Sequence, residues 1–124
     1  MGARIVLSLV AAVGLSALAQ VALKAGMSAS AVQDQLRSGT TLDVILAILL
    51  NTGVIIGLAL YASSVGLWLL VLAREEVSRV YPFVGLGFLV TMAFACLFLG
   101  ESFTSQKAVG TLLVALGVYV VANA

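Results

Sequence analysis

Four long apolar runs, each bounded by a polar stretch, constrain this chain more than any other feature. They extend from about Arg4 to Ala25, Val44 to Ala73, Val80 to Leu99 and Ala108 to Ala122. A helix needs about 20 apolar residues to cross hydrocarbon, so four crossings use about 80 positions. Of the 124 residues, 63% are apolar and 9% charged, where water-soluble domains carry about 45–50% and about 25%. A ball this small cannot hide that excess. The expectation is an all-α membrane protein, one domain of four transmembrane helices, with no room in these residues for a second soluble domain.

The first run imitates a secretory signal, with Arg4, an apolar stretch from Ile5 to Leu15 and Ala17-Leu18-Ala19. It continues through Gln20 to Ala25, which is long enough to span, so a retained helix is expected. Its polar residues Ser16, Gln20 and Lys24 recur at i, i+4 and i+8 and share one helical side. The polar stretch from Met27 to Asp43 reads as a connection with one short helical turn. At about 1.5 Å per residue the second run exceeds a core of about 30 Å, so it is predicted to tilt or to project from the membrane. Arg74-Glu75-Glu76 with Arg79 marks a second connection, and Gly100-Glu101 through Lys107 a third.

Short connections make neighbouring helices antiparallel, which brings both termini to one side. That side carries Arg4, Arg74 and Arg79; the other carries Lys24, Arg37 and Lys107. The balance removes the positive-inside bias. It suits a chain that inserts both ways up and pairs with an inverted copy, completing an inverted-repeat arrangement. Gly53 and Gly57 form a small-xxx-small pair, and Gly110 and Gly117 share a stripe of the fourth run, so both are candidate dimer contacts.

No His is present and Cys96 is the single cysteine. The usual zinc and iron ligand sets and the familiar nucleophile triads are therefore missing, so neither an enzyme nor a metal or cofactor is expected. A net charge of +1 lacks the electrostatic footprint of a nucleic-acid binder.

Leu67-Trp68-Leu69-Leu70-Val71-Leu72, then Val80-Tyr81-Pro82, Leu99-Gly100-Glu101 and Gly110 to Val118 resemble the small four-helix members of the drug/metabolite transporter superfamily. Ala19-Gln20, Lys24 and the Trp68 run look most like its flippase subunits for undecaprenyl-phosphate-linked aminoarabinose. The similarity covers nearly the whole chain except the stretch from Met27 to Asp43. It implies a small-multidrug-resistance-like bundle in the inner, plasma membrane. It also implies pairing as a homodimer, antiparallel if both insertions occur, or as a heterodimer with a paralogue. The related small multidrug resistance proteins carry a Glu in helix one; aligned by its closing Lys, this chain has Ser16 there. No Asp or Glu occurs between Met1 and Ala25, which argues against proton-coupled export of a cation.

The substrate-binding candidates are Ser16, Gln20, Lys24, Trp68, Arg74, Glu75, Arg79 and Tyr81. Lys24 is either an anchor that snorkels to the headgroups or, with Arg74 and Arg79, a partner for a lipid phosphate. Glu75 and Glu76 read as solvated carboxylates or as part of that site. Pro82 shapes the start of the third helix, and Glu101 either caps the fourth helix or pairs with Lys107. Chemistry and resemblance together imply a flippase that moves a polyprenyl-phosphate-linked sugar, or a related anionic lipid, between leaflets. The alternatives are an exporter of polyamines or quaternary amines, and a non-transporting accessory subunit of a lipid-glycan enzyme.

Overall fold

The computed structural model describes residues 2–124. These are helical in seven pieces: α1 (Ala3–Met27), α2 (Ser30–Ser38), α3 (Thr41–Leu49), α4 (Thr52–Leu72), α5 (Val77–Val80), α6 (Pro82–Phe98) and α7 (Ser105–Ala122). Three stretches, α1, α4 and Val77–Phe98, are long and apolar enough to cross a membrane, while Ser105–Val121 is a shorter apolar helix. The protein is all-helical and suited to a membrane.

The second apolar run is not one long helix, which corrects the prediction of an over-length span. It breaks at Leu50–Asn51, where the Asn51 side-chain oxygen accepts the Val54 N–H at 3.1 Å. That bond satisfies a donor that every new helix leaves open, so the chain restarts there instead of continuing. α3 has its own start: Thr40 and Asp43 form a capping box, each side chain accepting the other's backbone N–H at 3.3 and 3.4 Å. The stretch before it carries a nine-residue helix, α2, where a single turn is predicted.

The third run starts earlier than its apolar composition implies, at Val77, and is interrupted at Pro82. Proline has no N–H to continue the ladder, and Pro82 occupies the first turn of α6. Tyr81 keeps helical angles (φ −59°, ψ −34°), so α5 and α6 follow one another without a reversal. At the far end Gly100 adopts φ +68°, a left-handed conformation that glycine alone adopts without strain. The turn it makes sends the Glu101 N–H back to the Ala95 carbonyl at 3.3 Å. α7 then begins at Thr104, whose hydroxyl accepts the Lys107 N–H at 3.2 Å.

α1 and α4 run antiparallel along their whole length. A Cβ on Gly53 would lie 2.8 Å from Gly26 Cα, and one on Gly57 would lie 2.7 Å from Leu23 Cγ. Further along, the Ser64 hydroxyl donates to the Ala12 carbonyl at 2.7 Å within the buried interface. α6 packs on another side of α1, with Gly87 opposite Val13, and α7 runs antiparallel to α6. The lateral order is α4, α1, α6, α7. Leu9, Val71 and Val80 form the buried core at the end that holds both termini.

The accessible surface is 7971 Å², against roughly 6,200 Å² for a water-soluble monomer of this mass. The excess is largely side chains such as Leu7, Leu69, Leu113 and Tyr119, all more than half exposed. A thin bundle with apolar groups outward is stable only in an apolar solvent.

Candidate functional site

α1, α4 and α6 enclose a cavity of about 540 Å³ that extends to the Gly100 turn. Ser16 and Gln20 reach it from α1, Tyr61, Ser64 and Trp68 from α4, and Phe88, Thr91 and Met92 from α6. The α4 set recurs at i, i+3 and i+7, and Val84, Phe88, Thr91 and Ala95 trace the facing stripe of α6, the spacing of a single helical side. Glu101 joins from outside the helices, delivered by the left-handed Gly100 and the backbone bond to Ala95. It is the one carboxylate among the described residues of the lining, which includes no Lys or Arg.

Polarity is graded along the cavity. Gln20, Ala95 and Glu101 lie towards the end that carries α2 and α3, and Ser16, Tyr61 and Thr91 follow. Trp68 and Val84 close the other end. From Val84 to Ala95 the distance is about 16 Å at 1.5 Å per helical residue. The Ser64 hydroxyl is engaged by Ala12, so the free side-chain oxygens lie in the polar half, and the Trp68 indole N–H is the hydrogen-bonding group of the other end. On the outer side of α6 the Thr111 hydroxyl donates to Met92 Sδ at 3.1 Å, tying α7 to the cavity wall.

Of the sequence candidates, Ser16, Gln20 and Trp68 are brought together here. Lys24 is exposed and lies outside the lining. Each step of four residues advances a helix by about 40° beyond a full turn, so two steps from Ser16 carry Lys24 off the cavity side. Arg74, Glu75 and Arg79 sit at the opposite end of the bundle, which corrects their grouping with Lys24 in one phosphate site. Glu75 and Arg79 form an i, i+4 ion pair at 3.5 Å, and Arg74 and Glu76 are exposed.

Tyr81, Pro82 and Gly117 line a different, apolar groove between α6 and α7. Gly53 and Gly57 are used inside the chain against α1, a correction to their expected place in a dimer contact. A Cβ on Gly110 or Gly117 would meet nothing within 4 Å, so that face of α7 is open. Glu101 neither caps α7 nor pairs with Lys107: Thr104 caps the helix, and the Lys107 ammonium donates to the Ser102 carbonyl at 2.7 Å.

Sequence reasoning missed Tyr61, Phe88, Thr91 and the cavity position of Glu101. The first three do carry a signal, polar or aromatic side chains at helical spacing within apolar runs. Nothing in the sequence distinguishes the stripe that faces protein from the stripe that faces lipid.

No known protein family matches the chain, and no curated protein or solved structure is significantly similar to it.

Proposed function

We propose that this protein is a membrane transporter of the flippase type. In this reading four spans form the transport domain, two copies or a copy and a paralogue assemble in the plasma membrane, and the substrate is a polyprenyl-phosphate-linked sugar or a related lipid. The observation that carries it is the polarity gradient of the cavity. Gln20, Ser16, Thr91 and Glu101 offer donors and acceptors at one end, Tyr61 offers a flat amphipathic ring, and Trp68, Val84 and Phe88 make the far end apolar. A site of that kind suits an amphiphile held head towards α2 and α3 and tail towards the middle of the bundle. Lys24, one turn beyond Gln20 on α1, is exposed outside the cavity lining. The chain needs no covalent chemistry for this task.

The test is translocation by the purified protein alone in vesicles containing a fluorescent polyprenyl-phosphate-glucose. A membrane-impermeant quencher should reach the inner-leaflet probe only when the protein is present, and Trp68→Ala should slow that exchange. An intact, folded protein that moves no lipid would favour the accessory-subunit reading.

A second reading, export of a free amine, draws on Glu101 as the one carboxylate at the cavity. It predicts substrate-dependent proton movement in the same vesicles that Glu101→Gln abolishes, whereas lipid exchange needs no such movement.

A further inference from the structure

Val84 and Phe88 stand one helical turn apart on α6 and belong to two surfaces at once. On one side they line the polar-headed cavity, and on the other they line the groove of about 730 Å³ between α6 and α7. Beyond them the groove is bounded by Gly85, Val114, Gly117, Val118 and Val121, and its polar contributions come from Ser78 and Tyr81 at the terminus-bearing end. α6 and α7 touch where a Cβ on Gly85 would lie 2.5 Å from Val118 Cγ2, and the groove is open beside that contact, since a Cβ on Gly117 would meet nothing within 4 Å. From Phe88 to Ser78 the groove follows α6 and α5 for about 15 Å.

We infer that this groove holds the hydrocarbon chain of the same amphiphile whose head occupies the cavity, the chain passing over the Val84–Phe88 ridge. The inference rests on the flippase reading and names the second half of its site. Two features single out this occupant over bulk lipid. The groove shares Val84 and Phe88 with the apolar end of the cavity, and the gradient already directs a tail towards that end. Because lipid tails are as apolar as the groove, burial here supplies no hydrophobic drive. The groove selects by shape and register, keeping the chain beside α6 so that the head stays in the cavity.

Two photoreactive probes decide the matter in phosphatidylcholine nanodiscs. One is dodecyl-phosphate-glucose with a diazirine at the chain end; the other is a phosphatidylcholine carrying the same diazirine chain. After irradiation, labelled positions are mapped by peptide mass spectrometry. The glucose probe should concentrate on residues 78–88 and 114–121, and excess unlabelled dodecyl-phosphate-glucose should remove that label. The phosphatidylcholine probe should mark all apolar faces evenly. Gly117→Phe should fill the groove and lower the saturable label there about tenfold, equivalent to about 1.4 kcal/mol. Val114→Phe should do the same from a neighbouring position, and it decides the result if Gly117→Phe alters assembly.

An even, non-saturable pattern from the glucose probe, alongside saturable binding and translocation that Trp68→Ala weakens, overturns the groove and leaves the flippase reading standing. Absence of saturable binding and of translocation overturns both.

Discussion

Replacing Gly53 by Ala should destabilise the protein, and the same change at Gly66 should not. A Cβ at residue 53 would lie 2.8 Å from Gly26 Cα, 3.0 Å from Gly26 N and 3.2 Å from the Ala22 carbonyl oxygen. All three are backbone atoms, so no side chain can rotate away and α1 must separate from α4. Overpacking of this kind costs about 1–3 kcal/mol. Relief of the glycine penalty in a helix returns about 1 kcal/mol, leaving a net loss of at most about 2 kcal/mol. At Gly66 an added Cβ meets nothing within 4 Å, so only the favourable contribution remains and stability should be unchanged or higher. Reversible unfolding in mixed micelles of increasing sodium dodecyl sulfate content, followed by helical circular dichroism, reads both on one scale. Gly26→Ala should cost a similar amount, and the Gly26→Ala, Gly53→Ala pair should cost less than the sum, since one separation of the helices accommodates both. Equal responses at residues 53 and 66, or strict additivity of the pair, would falsify the close-approach account of this interface.

Asn51→Ala removes the cap of α4 and should lower stability by about 0.5–2 kcal/mol in the same titration; an unchanged midpoint would mean that packing alone places the break between α3 and α4. Lys24→Ala should weaken binding of dodecyl-phosphate-glucose about fivefold, the equivalent of about 1 kcal/mol for one surface cation, and leave dodecyl-glucoside binding unchanged. A loss of both would assign Lys24 to folding, and a loss of neither would make it an anchor. With Lys and Arg balanced between the ends, reporters fused after Ala124 should register on both sides of the membrane, and two added Lys should drive them to one. A signal from one side only in the unmodified chain points to a paralogous partner of opposite orientation.

The division between what was readable and what was not follows the range of the forces involved. Hydropathy is a local property, so the apolar runs identify the membrane as solvent and locate α1 and much of α4, α6 and α7. Proline chemistry is local too, and Pro82 does open a helix. The break at Asn51 was missed because an amide in a long apolar run reads as an interruption of composition, while its effect is a hydrogen bond to Val54. Helical spacing linked Ser16 to Gln20 correctly and overreached at Lys24, where the drift of about 40° per four residues accumulates.

What the sequence by itself determined was the solvent, the helical class and a set of polar residues at helical spacing. Which of those residues meet was decided only by tertiary structure. Gly53 and Gly57 bring α4 onto α1 within one chain instead of joining two, and α6 then completes a cavity whose helical walls come from residues 12–20, 61–68 and 84–95. In hydrocarbon every helix face is equally apolar, so the seam is chosen by close backbone fit and by bonds such as Ser64 to Ala12. Glu101 enters the cavity because a left-handed glycine turns the chain there, a geometry that composition and periodicity do not encode.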